Sequence, residues 1–151
     1  MTKTKAGLSA AALAALVTLV GTWEGLRTKA YQDIVGVWTV CYGYTHGVKR
    51  GDVYTPAECK TKLVEELVDF NRRLEPCIKR NISDGERVAL VSLAYNAGVG
   101  SVCKSTALRL INQGKRKEGC DALLKWSYAG GKFVQGLHNR RKAEREICLA
   151  A

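Results

Sequence analysis

The sequence predicts an α+β, mostly helical fold in two lobes: a small antiparallel β lobe, a long bridging helix and a helical lobe. Three observations carry this. Residues 31–51 are rich in Val, Ile, Tyr, Trp and Gly with little helical period, which suits one or two short hairpins. Leu63, Leu67, Phe70 and Leu74 then recur at i, i+4, i+7 and i+11, the apolar face of one long helix. Val88, Leu90, Val91, Leu93 and Ala94 form a run that is apolar on nearly every side, as in a helix buried at the centre of a lobe. At 151 residues, 46 % apolar with two prolines, the chain has the size of a single domain with a real core. Residues 26–54 form the expected β lobe and 55–151 the helical lobe.

The elements follow in order. Residues 6–23 are uncharged and read as an apolar helix that ends at Trp23-Glu24. Thr55-Pro56-Ala57-Glu58 is a helix start, with Thr as N-cap, Pro at the first helical position and Glu closing a capping box. That helix ends at Pro76 and bridges the lobes. Ser83-Asp84-Gly85-Glu86 is a second capping box opening the central helix, with Gly98 and Gly100 as its stop. Later helices are expected at about 105–112, 116–128 and 136–148, punctuated by Gly114 and Gly130-Gly131.

Glu24, Asp33 and Thr39 lie nine and then six residues apart, where the first helix gives way to the β-rich stretch. Two carboxylates on different elements across a cleft are what glycosidic-bond hydrolysis needs, one protonated toward the leaving oxygen and one ionised toward water or sugar. The surrounding letters resemble the phage lysozyme family of muramidase endolysins. The resemblance rests on Glu24-Gly25-Leu26-Arg27, Tyr31-Gln32-Asp33 and Gly36-Val37-Trp38-Thr39. It continues through Tyr42-Gly43-Tyr44-Thr45-His46-Gly47, Thr55-Pro56-Ala57-Glu58-Cys59, Tyr95-Asn96-Ala97-Gly98, Trp126-Ser127-Tyr128-Ala129-Gly130-Gly131 and Gly136-Leu137-His138-Asn139-Arg140-Arg141-Lys142-Ala143-Glu144.

The resemblance implies a lysozyme-like fold and hydrolysis of the β-1,4 bond between N-acetylmuramic acid and N-acetylglucosamine in peptidoglycan. Glu24 would be the general acid, kept protonated by apolar neighbours Leu19, Val20 and Trp23. Asp33 would stay ionised and act on the attacking water or the oxocarbenium-like charge, and Thr39 would hold that water. Tyr42, Tyr44 and Trp38 are candidates for stacking on sugar or for β-lobe packing. Asn96 is a candidate substrate contact or helix C-cap, and Trp126 is read as core. His46 and His138 are not expected to be catalysts. Two rival functions stay open: a lytic transglycosylase, which can run on one glutamate, and a non-enzymatic cationic membrane-disrupting protein.

A net charge of +10 calls for a polyanionic partner or a cationic surface. The basic residues are spread over Lys49-Arg50, Arg72-Arg73, Lys115-Arg116-Lys117 and Arg140-Arg141-Lys142 without a nucleic-acid recognition motif, so they read as solvated surface and no nucleic acid is expected. No metal, nucleotide or other cofactor is implied, because ligand clusters and a Gly-rich phosphate loop are missing from the sequence. Nothing demands more than a monomer.

Six cysteines, Cys41, Cys59, Cys77, Cys103, Cys120 and Cys148, allow fifteen pairings. The pairing expected is Cys41–Cys59, Cys77–Cys103 and Cys120–Cys148, with buried free thiols as the alternative. Disulfides point to an oxidising compartment, here the periplasm of a Gram-negative host. Residues 6–23, preceded by Lys3 and Lys5, span ~27 Å as a helix, just enough for a hydrocarbon core, yet six alanines make the segment weakly apolar. It looks like the signal-anchor of some phage lysozymes, which inserts transiently in the host inner membrane, is exported uncleaved and later escapes. Ala15–Trp23 cannot both span lipid and present Glu24 in a folded core, so release would be an activating step. A cleaved signal peptide and a plain soluble first helix are the alternatives.

Overall fold

The computed structural model describes residues 7–150. Helix α1 (Ala10–Glu24) starts where Ser9 caps it: the hydroxyl accepts the Ala12 N–H at 3.0 Å and donates to Asp84 Oδ2 at 2.8 Å. It therefore begins earlier than Ala15, and Leu8, Ala12, Leu16, Leu19 and Val20 anchor one face in the core. Ala6, Lys3 and Lys5, which open the expected anchor segment, lie outside the described residues.

Strands β1 (Arg27–Gln32) and β2 (Trp38–Cys41) pair antiparallel, with Tyr31 opposite Thr39 and Gln32 opposite Trp38. Asp52 and Tyr54 add backbone bonds to β1, through Ala30 N–H to Asp52 C=O and Tyr54 N–H to Thr28 C=O. Cys41 has φ 63° in the tight turn closed by Val40 and Tyr44, a left-handed conformation uncommon away from glycine. Its disulfide to Cys59 ties that turn to α2 (Pro56–Leu74).

Helix α2 opens with the full capping box of Thr55 and Glu58 and buries Cys59, Leu63, Leu67, Asn71 and Leu74 along one stripe. A 3-10 turn (Glu75–Cys77) ends it at Pro76. Helix α3 (Asp84–Ala97), capped by Ser83 and Glu86, is buried at every position from Gly85 to Ala94, with α1, α2, α4 (Val99–Cys103) and α7 (Gln135–Ala150) around it.

Two elements depart from expectation. Gly98, at φ 98°, ends α3, but Gly100 does not stop the chain: it lies within a short helix, α4 (Val99–Cys103). The region 116–128 is not one helix. Helix α6 (Arg116–Ala122) passes into a 3-10 turn (Leu123–Lys125), then into a hairpin of β3 (Tyr128–Ala129) and β4 (Lys132–Phe133). Gly130 and Gly131, both at positive φ, form the two-residue turn, the chemistry that such hairpins require. Helix α5 (Thr106–Asn112) precedes α6, and α7 (Gln135–Ala150) closes the fold. Disulfides Cys77–Cys103 and Cys120–Cys148 tie the end of α2 to α4 and α6 to α7.

Candidate active site

Glu24 is the last residue of α1, at the seam between the helical lobe and the β lobe, and its side chain is 22 % exposed. It opens into a cavity of about 240 Å3 with Gly43, Thr45 and His46 on the β-lobe side and Glu66, Phe70 and Tyr95 on the helices. Arg140 of α7 donates from Nη1 to Glu24 Oε2 at 2.7 Å. Oε1 faces the other way: a Cβ added at Gly43 would stand 3.8 Å from it and 3.9 Å from the Tyr95 hydroxyl. The carboxyl thus has one oxygen committed to a buried guanidinium and the other turned to the glycine-lined wall.

This corrects the apolar shell expected around Glu24. Leu19 and Val20 turn into the core, Trp23 is 37 % exposed, and the groups near the carboxyl are mostly polar. Arg140 and Arg141 also correct the reading of that basic run as solvated surface, since they are 4 % and 1 % exposed. Arg141 pairs with buried Glu144, which accepts from Ser92, and Arg140 lies 3.7 Å from the same carboxylate. Burial pushes the Glu144 carboxyl up and the Arg141 guanidinium down, while the pairing opposes both. Neither arginine stands out in the sequence, because charges at i, i+3 and i+4 usually mark an exposed helix face.

Tyr95 is a further residue that sequence reasoning does not single out for the site. Its hydroxyl donates to the Tyr42 carbonyl at 2.6 Å, joining α3 to the chain after β2. Burial pushes the phenol up, and the Glu24 and Glu66 carboxylates add to it. His46 Nε2 lies 3.1 Å from Glu66 Oε1, so the β-lobe loop is pinned to α2 beside the Glu24 cavity.

Asp33 sits in the turn between β1 and β2. Its Oδ1 accepts the N–H groups of Val35 at 2.9 Å and Val37 at 2.8 Å, which fixes the carboxyl and leaves Oδ2 outside that pair. Thr39, 4 % exposed, donates its hydroxyl to the Val37 carbonyl at 3.0 Å. Tyr42 lies between the two hydrophobic clusters, its ring near Gly21 of α1. Tyr44 packs edge-on to His46 at 5.3 Å, with the Lys62 ammonium 5.1 Å over its ring, and lines a neighbouring cavity with Glu65 and Asp69. Asn96 is exposed and accepts from Arg141 at 2.9 Å, while the C-cap of α3 is Gly98. Trp126 is half-buried against the core. Among the described residues no group of three or more His, Cys, Asp or Glu could hold a metal ion.

The phage lysozyme family model matches residues 21–144, which include Glu24, Asp33, Thr39 and Arg140. The chain belongs to the phage lysozyme family. It is a glycoside hydrolase of the lysozyme type, in a lysozyme-like fold. The SAR-endolysin of Enterobacteria phage P21 is 51 % identical over 127 residues, covering 83 % of this chain and 77 % of that protein. The SAR-endolysin of Pseudomonas phage phiKMV is 46 % identical over 145 residues, 93 % of this chain and 87 % of the relative. Among solved structures, a point mutant of P22 lysozyme superposes with a TM-score of 0.83 at 27 % identity, covering 99 % of both chains. The muramidase domain of SpmX from Asticaccaulis excentricus superposes at 0.84 and 27 % identity over 91 % of this chain and 96 % of that one.

Proposed function

We propose that this chain is an endolysin that hydrolyses the β-1,4 bond between N-acetylmuramic acid and N-acetylglucosamine in peptidoglycan, lysing the host cell. The observation that carries the reading is Glu24 at the lobe seam, with Oε2 bonded to Arg140 and Oε1 turned into the cavity. Glu24 Oε1 gives its proton to the glycosidic oxygen as the C1–O bond breaks, and Arg140 neutralises the carboxylate that remains. Asp33 accepts a proton from water as the water oxygen attacks C1. Because the Thr39 hydroxyl spends its hydrogen on the Val37 carbonyl, its lone pairs are the part offered to that water. One water hydrogen on Thr39 Oγ1 and one on Asp33 Oδ2 leave an oxygen lone pair for the sugar. Tyr44, at the neighbouring cavity, is the better placed of the two tyrosines to meet a further sugar.

Residues 6–23 serve as the signal-anchor that carries the chain to the periplasm, in keeping with the names of the relatives. Among the described residues no helix is long and apolar enough to cross a membrane; α1, at 15 residues, is ~22 Å long in the folded enzyme. Leu16, Leu19 and Val20 are core residues of the folded state and would be lipid-facing in the inserted one, so the enzyme acts only after leaving the bilayer. Fractionation of spheroplasts tests this: an inactive membrane-bound pool preceding an active soluble pool is expected. A protein that is soluble and active from the start overturns the anchor.

Digestion of purified peptidoglycan tests the reaction. Fragments carrying one added water are expected from the wild type and not from Glu24→Gln. Anhydro ends would indicate a transglycosylase, and lysis that survives Glu24→Gln would indicate membrane disruption by charge.

A further inference from the structure

At the end of α2, around the Cys77–Cys103 disulfide, lies a further cavity of about 530 Å3 that shares no lining residue with the cavity of Glu24 or with its neighbour at Tyr44. Lys79, Lys104 and Arg109 line it, and no acidic side chain does. Among the described residues none of these three is in an ion pair. Cations on nearby turns are matched: Arg87 lies 2.6 Å from Glu75, and Arg116 and Arg80 lie 3.6 Å and 4.0 Å from Glu86. All three are exposed, so solvent screens their mutual repulsion, yet three positive charges lining one concavity without a carboxylate leave a positive potential there that favours an anion.

The frame is rigid. The disulfide joins the two walls. Asn112 clamps the floor, its Oδ1 accepting the Lys79 N–H at 2.8 Å and its Nδ2 donating to the Cys77 carbonyl at 2.9 Å. Lys79, though exposed, has its Nζ tethered to the Pro76 carbonyl at 2.6 Å, which holds the ammonium at the rim of the cavity.

We propose that this cavity is an anion site for a phosphate group, free or esterified. A tetrahedral phosphate, doubly charged when free or a monoester and singly charged as a diester, presents its oxygens in several directions and so suits two ammonium groups and one forked guanidinium better than a planar carboxylate does. The Gln113 amide on the rim adds a neutral donor. Two sources carry this chemistry. One is a soluble or polymer-borne phosphate. The other is an anionic lipid headgroup, favoured by position: Gly7 lies against Arg87, which bonds Glu75, the residue before Pro76, so the site is at the end of the molecule where α1 begins.

The test uses the folded, oxidised chain labelled with 15N and titrated with inorganic phosphate at constant chloride ionic strength. Amide shifts are expected to cluster at residues 77–79, 103–105 and 109–113. The variant K79A/K104A/R109A should bind phosphate at least tenfold more weakly, whereas K49A/R50A/K132A, with the same loss of charge at exposed positions elsewhere, should stay within twofold. Matching melting temperatures check the fold, and K104A and R109A singly replace the triple variant if it does not fold. Cosedimentation with phosphatidylglycerol against phosphatidylcholine vesicles separates the sources. Site-dependent vesicle binding identifies the headgroup, and phosphate binding without it identifies a free or polymer phosphate; both support the site. Shifts scattered over all basic residues, equal weakening in the two triple variants, or no phosphate binding overturns it.

Discussion

Replacing Arg140 by Gln removes the guanidinium that meets Glu24 Oε2 at 2.7 Å. Arg140 is 5 % and Glu24 22 % exposed in side chain, so solvent screens the pair weakly. A hydrogen bond from a charged donor such as Arg140 in such a setting contributes about 1.5–3 kcal/mol, and stranding a buried charge costs up to about 3–5 kcal/mol. The lower range applies, because Glu24 keeps access to water through its cavity and Glu144 keeps Arg141. Urea unfolding of the wild type, Arg140→Gln, Glu24→Gln and the double variant at pH 7 gives the coupling directly. We expect about 1.5–3 kcal/mol. In steady-state hydrolysis Arg140→Gln should lower kcat about 100-fold with little change in KM, as a positioning residue does when the acid it holds is displaced. A coupling under about 0.5 kcal/mol, the size of an exposed ion pair, or an unaltered kcat refutes the reasoning.

Gly43→Ala puts a methyl in ordinary contact, 3.8 Å from Glu24 Oε1, but at a backbone φ of 92°, so the strain should cost about 1–2 kcal/mol of stability and the shift of backbone that relieves it about tenfold in kcat/KM. Full activity in this variant counts against Oε1 as the proton donor. Cys120→Ala with Cys148→Ala opens a loop of sequence separation 28, for which chain entropy gives about 3–4 kcal/mol. Calorimetry should show a melting point about 7–14 °C lower. Tyr95 has its phenol raised by burial, so its contribution to stability is complete below pH about 10 and is lost as pH climbs through the raised value. Tyr95→Phe should flatten the fall in melting temperature above pH about 10, while losing about 1 kcal/mol at neutral pH with the bond to the Tyr42 carbonyl. An unchanged alkaline slope contradicts that assignment.

The local signals that are legible in the sequence are those whose chemistry is complete within four residues. Thr55 and Glu58, and Ser83 and Glu86, close their capping boxes as the letters indicate. The β lobe is legible because Val, Trp and Tyr between glycines have few other uses. The hairpin at 128–133 is not, because its strands are two residues long and Gly130-Gly131 equally suits a helix stop. Helix α4 escapes for a related reason: Gly100 is tolerated there because it is exposed and five residues suffice between Gly98 and the disulfide at Cys103.

The site is legible in part. The positions of Glu24, Asp33 and Thr39 on the end of a helix, in a turn and in a strand follow from the sequence pattern. Arg140 lies 116 residues from Glu24, and its partnership depends on how α7 crosses the end of α1, which no local spacing encodes. The same holds for Tyr95 and Tyr42, 53 residues apart, and for His46 and Glu66.

The most direct measurement is mass spectrometry of purified peptidoglycan digested by the wild type and by Glu24→Gln, each first shown to be folded. Muropeptides carrying one added water from the wild type alone are the expected result. The same fragments from Glu24→Gln at an undiminished rate would contradict Glu24 as the acid.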